Sequence, residues 1–190
     1  MRGTGLACAI LLALAACVAP GAGNDPGRAP ILAGAMMLAA PDGYCIVPGS
    51  RLERGDDALA LMGRCKGEIN RPPAVLTVTL GAQGSAADFD TATLANWLRG
   101  PQGRAALSRN GRGTDVTIED VATLKDALLI RLRDAGAEQA VEPSAWRAVL
   151  PLRGRLVTLT VTGPRDQPLP PDTGRKLMET FIARMRAANP

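Results

Sequence analysis

The hydrophobic pattern is clearest in the second half of the chain, where it predicts four consecutive strands. Residues 146–152 and 156–162 both alternate, the second as Val or Leu against Thr, which is the period of a strand with one buried face. Arg153-Gly154 between them has the length of a tight hairpin turn. Two more strands are predicted at 116–123 and 128–133. Together the four predict an antiparallel meander.

Shorter strands are predicted in the first half of the chain. Residues 44–47 follow a Pro-Asp-Gly turn, and residues 75–80 follow two prolines and end at a glycine. Residues 58–62 favour a strand, although their propensities suit a helix nearly as well. The apolar stretch 31–40 is either an early strand or a segment packed on the domain.

Two helices are predicted between these groups of strands. Ser85-x-x-Asp88 resembles a capping box, and the helix that follows it is predicted to continue to Leu98. Its apolar face is formed at helical spacing by Phe89, Leu94, Trp97 and Leu98. Gly100-Pro101 then interrupts the pattern, and a second short helix is predicted over 101–109.

The chain closes with an amphipathic helix. It follows two prolines, has Asp172 or Thr173 as its predicted N-cap, and continues to Asn189. Its apolar face consists of Leu177, Met178, Phe181, Ile182 and Met185. Because a meander with one apolar face must cover that face, and helices are the only cover available, we predict an α+β domain. In it, an antiparallel sheet is covered by helices.

The beginning of the chain has the pattern of an export signal. Leu14-Ala15-Ala16-Cys17 ends an apolar run that is too short to span a bilayer. It resembles a bacterial lipobox, which implies cleavage before Cys17 and acylation of that cysteine. The alternative is an ordinary signal peptide cut near residues 19–21. We therefore predict a signal peptide over 1–16, a lipidated Cys17 that begins a flexible tether over 17–34, and a single domain over 35–190.

The same resemblance implies a location. Acyl chains on a cysteine anchor a protein stably when there are two or more of them. Val18, rather than Asp, follows Cys17, and in lipoprotein sorting this favours the outer membrane over the inner. The domain is thus expected in the cell envelope, facing the periplasm.

Charge and cysteine content narrow the range of functions. The formal net charge is +4, and the predicted cleavage removes the single charged side chain Arg2, which leaves about +3. This is too weak to argue nucleic-acid binding. Cys45 and Cys65 remain in an exported chain and are expected to form a disulfide. A metal pair is the alternative, but there is no histidine to complete a site.

The sequence offers no catalytic constellation. Without histidine, a Ser–His–Asp or Cys–His site is excluded, and no Ser–Lys spacing points to an alternative. The carboxylate clusters are more typical of helix caps and solvated turns than of an acid/base pair; they are Asp88 with Asp90, Glu119 with Asp120, and Glu53 with Asp56 and Asp57. We predict no catalytic residue, no cofactor and no metal.

Five arginines are candidates for a basic binding face on the sheet: Arg131, Arg133, Arg147, Arg153 and Arg155. Such a face would suit anionic headgroups, peptidoglycan carboxylates or an acidic partner. The alternative is an ordinary solvated surface. Trp97 and Trp146 are expected in the core rather than at a ligand.

The order of elements resembles the Mog1/PsbP-like fold. The resemblance is carried by Pro41-Asp42-Gly43-Tyr44, by the 146–152 and 156–162 hairpin, and by the closing helix. The chain is also similar to small lipoproteins of alphaproteobacteria that share a Gly-Tyr-Cys with a second cysteine about twenty residues later. Members of the fold tend to be accessory or assembly proteins, which implies a binding role here.

These observations favour a membrane-anchored periplasmic lipoprotein that acts as a non-catalytic binding or assembly module. Its expected partners are the membrane, through the lipid anchor, and an envelope protein, with no nucleic acid. Two alternatives remain open. One is an envelope hydrolase that uses carboxylates alone, and the other is a carrier of an apolar ligand between sheet and helices.

Overall fold

The structure is a computed structural model that describes residues 25–136 and 139–190, so the predicted signal peptide 1–16 and Cys17 lie outside the described residues. None of the helices in these ranges is long and apolar enough to cross a membrane. The helices are α1 Thr91–Arg99, α2 Pro101–Leu107 and α3 Pro171–Ala188, and one turn of 3-10 helix covers Gly113–Asp115. The strands are β1 Arg28–Ile31, β2 Met36–Ala39, β3 Tyr44–Ile46, β4 Leu52–Arg54, β5 Asp57–Arg64, β6 Val75–Leu80, β7 Val116–Leu124, β8 Ala127–Asp134, β9 Ser144–Leu152 and β10 Arg155–Thr162.

Strands β3 to β10 form one antiparallel sheet. Its order is β3-β5-β6-β10-β9-β8-β7, and β4 pairs with β5 beside β3. The predicted meander is confirmed as β7 to β10, and the sheet continues from β10 onto β6. β1 and β2 form a separate hairpin. With its helices, this architecture confirms the predicted α+β class, an antiparallel sheet covered by helices with a C-terminal amphipathic helix.

The β9–β10 hairpin lies near the centre of the sheet. Its register pairs Leu150 with Val157, as expected for strands joined by a two-residue turn. Arg153 and Gly154 have φ angles of 50° and 76°. Positive φ at both central residues is what a type I′ turn requires, and its twist matches that of the flanking strands. The predicted hairpin is therefore confirmed together with its turn.

One face of the sheet, which we call the inner face, is covered by α3 and the β1–β2 hairpin. Met178, Phe181, Ile182 and Met185 of α3 are at most 1% exposed and pack on apolar residues of the strands. Full burial of side chains of this size contributes about 1.5–3 kcal/mol each relative to exposure. The apolar face predicted for the closing helix is thus the main cover of the inner face.

The opposite face, which we call the outer face, is covered over only part of its width. α1 and α2 pack on β7, β8 and β9, where Leu128, Ile130, Leu132 and Val149 are buried beneath them. Because β8 is buried on both faces, residues 127–130 are apolar without alternation. The prediction of one covered apolar face is therefore corrected, since helices lie on both faces of the sheet.

The folded domain begins earlier than predicted. Arg28–Ile31 forms β1, and Ile31 is only 2% exposed, so a tether that extends to residue 34 is wrong. The Gly- and Pro-rich composition before β1 conceals this short strand, whose stability depends on β2 and α3. At the other terminus, the Met37 N–H donates to Asn189 Oδ1 at 2.9 Å, and Asn189 Nδ2 donates to the Met37 carbonyl at 2.8 Å. The first hairpin is thereby fixed to the end of the chain.

The first helix starts later than its predicted capping box. Asp90 is the N-cap of α1, and its Oδ1 accepts the Thr93 N–H at 2.7 Å. Ser85 Oγ instead accepts the Leu156 N–H at 2.8 Å, which joins this segment to β10. The capping-box prediction is therefore wrong, because the Ser85 hydroxyl serves a neighbouring strand rather than a helix.

The other two helices differ from prediction only at their ends. α2 ends at Leu107 rather than at residue 109. α3 begins at Pro171 with Pro170 as its cap and no side-chain cap bond, so neither Asp172 nor Thr173 is the N-cap. Proline suits the first helical position because it lacks an N–H that would otherwise need a partner.

The predicted disulfide is present between Cys45 and Cys65, with a Cα–Cα distance of 5.0 Å. Cys45 lies on β3 opposite Gly63 of β5, so the bond fastens an edge of the sheet to the next strand. Residues 58–62 form the middle of β5, which confirms the strand prediction over the helix alternative. Local propensity suits strand and helix nearly equally here, and hydrogen bonding to strands on both sides of β5 stabilises the strand.

An ion pair between buried Arg155 and half-exposed Asp56 closes the turn end of the sheet. Arg155 is 5% exposed; its Nη1 donates to the carbonyls of Asp56 at 2.7 Å and Gly81 at 2.9 Å. Its Nη2 donates to Asp56 Oδ1 at 2.5 Å, and Asp56 Oδ2 accepts the Gln83 N–H at 2.7 Å. The Arg155 hydrogen bond is the main cause that lowers the pKa of Asp56, and the Gln83 bond adds to it.

Removing the disulfide should destabilise the fold without changing it. The double variant Cys45→Ser/Cys65→Ser is expected to lose about 3 kcal/mol in free energy of unfolding, because a loop of this length no longer restricts the unfolded chain. Urea denaturation followed by circular dichroism measures the loss. A reductant should affect the wild type similarly and leave the variant unchanged, whereas equal stability of the two proteins would contradict the assignment.

Asp56 should make the stability of the folded domain decrease in acid. Its lowered pKa means that the carboxylate stabilises the fold at neutral pH, and that this contribution is lost as the pH falls through that pKa, below about 4. Asp56→Asn should therefore be less stable than wild type at pH 7, with the difference shrinking in acid. Thermal denaturation at several pH values tests this, with exposed Asp57→Asn as the matched control. A difference that does not depend on pH would contradict the role of Asp56.

Candidate functional site

The uncovered part of the outer face spans β4, β5, β6 and β10, and we call it the open half. Leu52 and Leu61 are 49% and 37% exposed, and Val47, which pairs beside Leu61, is 42% exposed. Leu52 lies opposite Leu59 in the β4–β5 register, so both side chains are on this face. The open half thus presents apolar side chains to solvent.

Toward the middle of the sheet, the open half becomes a floor of four threonines. Thr77 pairs with Thr160 and Thr79 pairs with Thr158, which brings the side chains of each pair to within about 5 Å. Within the described ranges, none of the four hydroxyls has a hydrogen-bond partner. They line a groove and are available to water or a ligand.

Helices α1 and α2 form an apolar wall beside this floor. Leu98 and Leu107 are buried at its base, and Trp97 is 46% exposed at its rim. The two helices meet closely at Gly103, where a Cβ would lie 2.3 Å from the Cα of Leu98. Only glycine permits this contact, so Gly103 sets the position of Trp97 relative to the sheet.

Arg147 lies where the covered and open parts of the outer face meet, opposite Thr160 in the β9–β10 register. Its Nη1 donates to the Leu107 carbonyl at 3.0 Å, and its Nε is buried without a hydrogen-bond partner. Burial lowers the pKa of Arg147, nearby Arg109 lowers it further, and Asp134 opposes the shift. Since arginine stays charged in proteins, the groove contains a partly desolvated cation.

Asp134 does not form an ion pair with this cation. Its Oδ2 accepts the backbone N–H of Arg109 at 2.9 Å, and its Oδ1 accepts the N–H of Gly136 at 2.9 Å. In the part of the chain that the structure describes, no carboxylate lies within ion-pair distance of Arg147 or Arg109. Both arginines line the groove, and no acidic residue lines it with them, so the groove is electropositive.

The threonine floor, the α1–α2 wall, Arg109 and Arg147 together line a groove with a volume of about 490 Å³. This lies within the range of about 300–1,000 Å³ that is usual for small-molecule sites. The groove is open to solvent and combines leucine side chains, threonine hydroxyls and two cations, so it is not the closed apolar cavity that a carrier of an apolar ligand would show. It fits a ligand with polar groups, an anionic group and some apolar surface.

The five arginines of the predicted basic face do not share one surface. Arg131 pairs with Trp146 in the β8–β9 register, which places it on the inner face together with Arg133. Arg147 is on the outer face, because successive residues of a strand point to opposite sides. Arg153 is in the hairpin turn and Arg155 is buried. Only Arg147 belongs to the groove, and the prediction of a common basic face is corrected accordingly.

The predicted carboxylate clusters have structural contacts. Glu119 pairs with Arg131 at 2.8 Å, and Glu53 accepts the Leu32 N–H at 3.1 Å. Asp90 caps α1, and the hydrogen bond from Thr93 lowers its pKa, whereas a general acid needs a raised one. Among the described residues, no group of three or more His, Cys, Asp or Glu side chains could hold a metal ion. The arrangement therefore offers no support for a carboxylate hydrolase.

The two tryptophans, both predicted in the core, have different environments. Trp146 is 7% exposed on the inner face, donates from Nε1 to the Pro171 carbonyl at 3.0 Å, and lies 5.7 Å from the Arg175 guanidinium. For Trp97 the prediction is wrong. Its helical position continues the apolar face that ends at Leu98, but the sheet beside it is open, so the ring stays uncovered.

Sequence reasoning did not single out the threonine floor or Arg109. The signal was available for the threonines, because the alternation of β6 and β10 places Thr77, Thr79, Thr158 and Thr160 on the polar side of both strands. The sequence could not predict that β6 and β10 are neighbouring strands. Arg109 gave no pattern, since it lies beyond α2 in a loop.

The backbone of this chain is similar to that of a solved structure. The solution structure of cyanobacterial PsbP (CyanoP) from Synechocystis sp. PCC 6803 is similar to this chain with a TM-score of 0.48 and 16% sequence identity, over 87% of this chain and 95% of that one. At this identity and TM-score, no conclusion about family or function follows from the similarity. No family model and no curated protein matches the sequence.

The two tryptophans should respond differently to truncation. Trp146→Ala is expected to lose about 3–5 kcal/mol in free energy of unfolding, since it removes a buried aromatic side chain. Trp97→Ala should cost less than about 1 kcal/mol, because nearly half of that ring is already in solvent. Urea denaturation of both variants provides the comparison. Similar losses for the two would mean that Trp97 is part of the core.

Proposed function

We propose that this protein is a membrane-anchored periplasmic lipoprotein that acts as a non-catalytic binding or assembly module and holds its partner on the open half. The observation that carries the proposal is that Leu52 and Leu61 are exposed on the part of the sheet that helices leave uncovered, and that Trp97 of α1 is exposed at the rim of the groove beside it. Large apolar side chains exposed around a groove in this way are typical of an interaction site.

The anchor is supported by the sequence that precedes the domain. Leu14-Ala15-Ala16-Cys17 resembles a lipobox, and Cys17 is the proposed site of lipidation. Since β1 begins at Arg28, the tether is shorter than its sequence prediction and would hold the domain about 20 Å from the membrane. Val18 supports the outer membrane over the inner, with the domain in the periplasm.

The proposed partners are the membrane, through the acyl chains, and an envelope protein that covers the exposed leucines. We propose no enzymatic activity, cofactor or nucleic-acid partner. The groove supports binding rather than catalysis, since it is lined by arginines and threonines without a carboxylate. A bound component would remain close to the membrane, as an assembly role requires.

Photocrosslinking in cells tests both parts of this proposal. A photoreactive amino acid at position 61 in the open half should give a specific crosslinked species, whereas the same group at position 183, exposed on α3, should not. Cys17→Ala should abolish metabolic labelling with alkynyl palmitate and, by releasing the domain from the membrane, reduce the crosslink at position 61.

Three results would contradict the proposal. Equal crosslinking at positions 61 and 183, or none at position 61, would exclude the open half as the binding surface. Palmitate labelling that persists in Cys17→Ala would exclude the assigned anchor.

A further inference from the structure

We propose that the groove between the α1–α2 wall and the threonine floor binds a saccharide that carries a carboxylate. This inference rests on the proposed function, because it assigns a ligand class to one part of the same open half. Three properties of the groove select this class: an incompletely paired cation, a cluster of free hydroxyls and an exposed aromatic ring.

The cation selects an anionic group. Arg147 uses one Nη to bind the Leu107 carbonyl, its Nε is buried without a partner, and Asp134 is occupied by backbone donors. Arginine presents five donors in a planar fork that matches a carboxylate. An incoming carboxylate would satisfy donors that the protein leaves unused and would neutralise a charge that is costly to bury unpaired. Arg109 adds a second positive charge in the same groove.

The floor selects a ligand with several hydroxyl groups. Thr77, Thr79, Thr158 and Thr160 offer four hydroxyls, each able to donate one hydrogen bond and accept two. In the described chain they have no protein partner. An acyl chain laid on this floor would displace water from all four without replacing its hydrogen bonds, which is unfavourable. A sugar ring would replace those bonds from its own hydroxyls.

The wall selects a ligand with an apolar side as well. The exposed ring of Trp97 and the neighbouring Leu94 line the groove on the side of α1, and Leu156 of β10 adds apolar surface at the floor. A pyranose has C–H bonds on one side of its ring, and these can pack on the face of an aromatic ring, whose electron density is attractive to them. A carboxylated pyranose therefore matches wall, floor and cation at once, in a space that is large enough for a small-molecule ligand.

Titration calorimetry of the full chain, purified as the cell produces it, tests this assignment with four probes. N-acetylmuramic acid and glucuronic acid carry a carboxylate on a sugar, N-acetylglucosamine lacks the carboxylate, and hexanoate lacks the hydroxyls. At least one acid sugar should bind, and the two incomplete probes should bind about tenfold more weakly or worse. Binding of N-acetylmuramic acid alone would indicate cell-wall glycan as the source, and binding of glucuronic acid alone would indicate a uronic acid polymer.

Variants separate the contribution of each group. Arg147→Gln should abolish the preference for the acid sugar over N-acetylglucosamine, and exposed Arg133→Gln on the inner face is the matched control. Thr77→Val/Thr160→Val keeps side-chain shape on two strands that favour Val, and it should weaken the acid sugar about tenfold while leaving hexanoate unchanged or tighter. Because the threonine variant has no reason to unfold, it tests the proposal even if Arg147→Gln destabilises the domain.

Three outcomes would overturn the saccharide assignment. They are no binding of either acid sugar, hexanoate binding as tightly as the sugars, and tighter sugar binding after the threonines are replaced. The second outcome would favour an amphiphilic carboxylate as the ligand. None of them bears on crosslinking at position 61, so the saccharide assignment and the proposed anchored module fail separately.

Discussion

The outer face of the sheet is wider than the area that the two short helices α1 and α2 can cover, and the rest of the structure follows from this constraint. Seven strands about 4.8 Å apart span roughly 29 Å. α3 and the first hairpin cover the inner face, but α1 and α2 have only 9 and 7 residues. Two helices of about 10–12 Å diameter cannot cover the whole outer face. A part of that face must therefore remain open, and the composition of the strands follows from this.

On the outer face, the side chains change from apolar to polar where the cover of α1 and α2 ends. Beneath α1 and α2 the outer face carries Leu128, Ile130 and Val149, all buried, while the next strands carry threonines in the same rows. Arg147 stands at the transition, and it is charged in a place where helices have removed most of its water. A buried cation and unpaired hydroxyls reduce the stability of the folded state. Polar groups that are kept at such a cost are typical of binding sites rather than of cores.

Local pattern predicted most elements of the fold, and long-range pairing decided the rest. The β9–β10 hairpin and the apolar face of α3 could be predicted because their signals lie within a few residues of each other. The role of Ser85 could not be predicted, since its hydroxyl accepts the N–H of Leu156, which is 71 residues away in the sequence. The predicted basic face failed for the same reason, because register places Arg131 and Arg147 on opposite faces. The groove likewise contains residues from distant parts of the sequence, so the sequence alone could predict only some of the residues of the candidate site.

The central claim is that the open half of the outer face is occupied in the cell. Maleimide labelling of variants that each gain one cysteine, with Cys17 and the Cys45–Cys65 disulfide retained, measures this directly. Thr79→Cys lies on the open half and Ala183→Cys on the exposed side of α3. We predict that Thr79→Cys is labelled readily in the purified protein and is protected in intact envelopes, while Ala183→Cys is labelled equally in both. Equal labelling of Thr79→Cys in purified protein and in envelopes would contradict the claim.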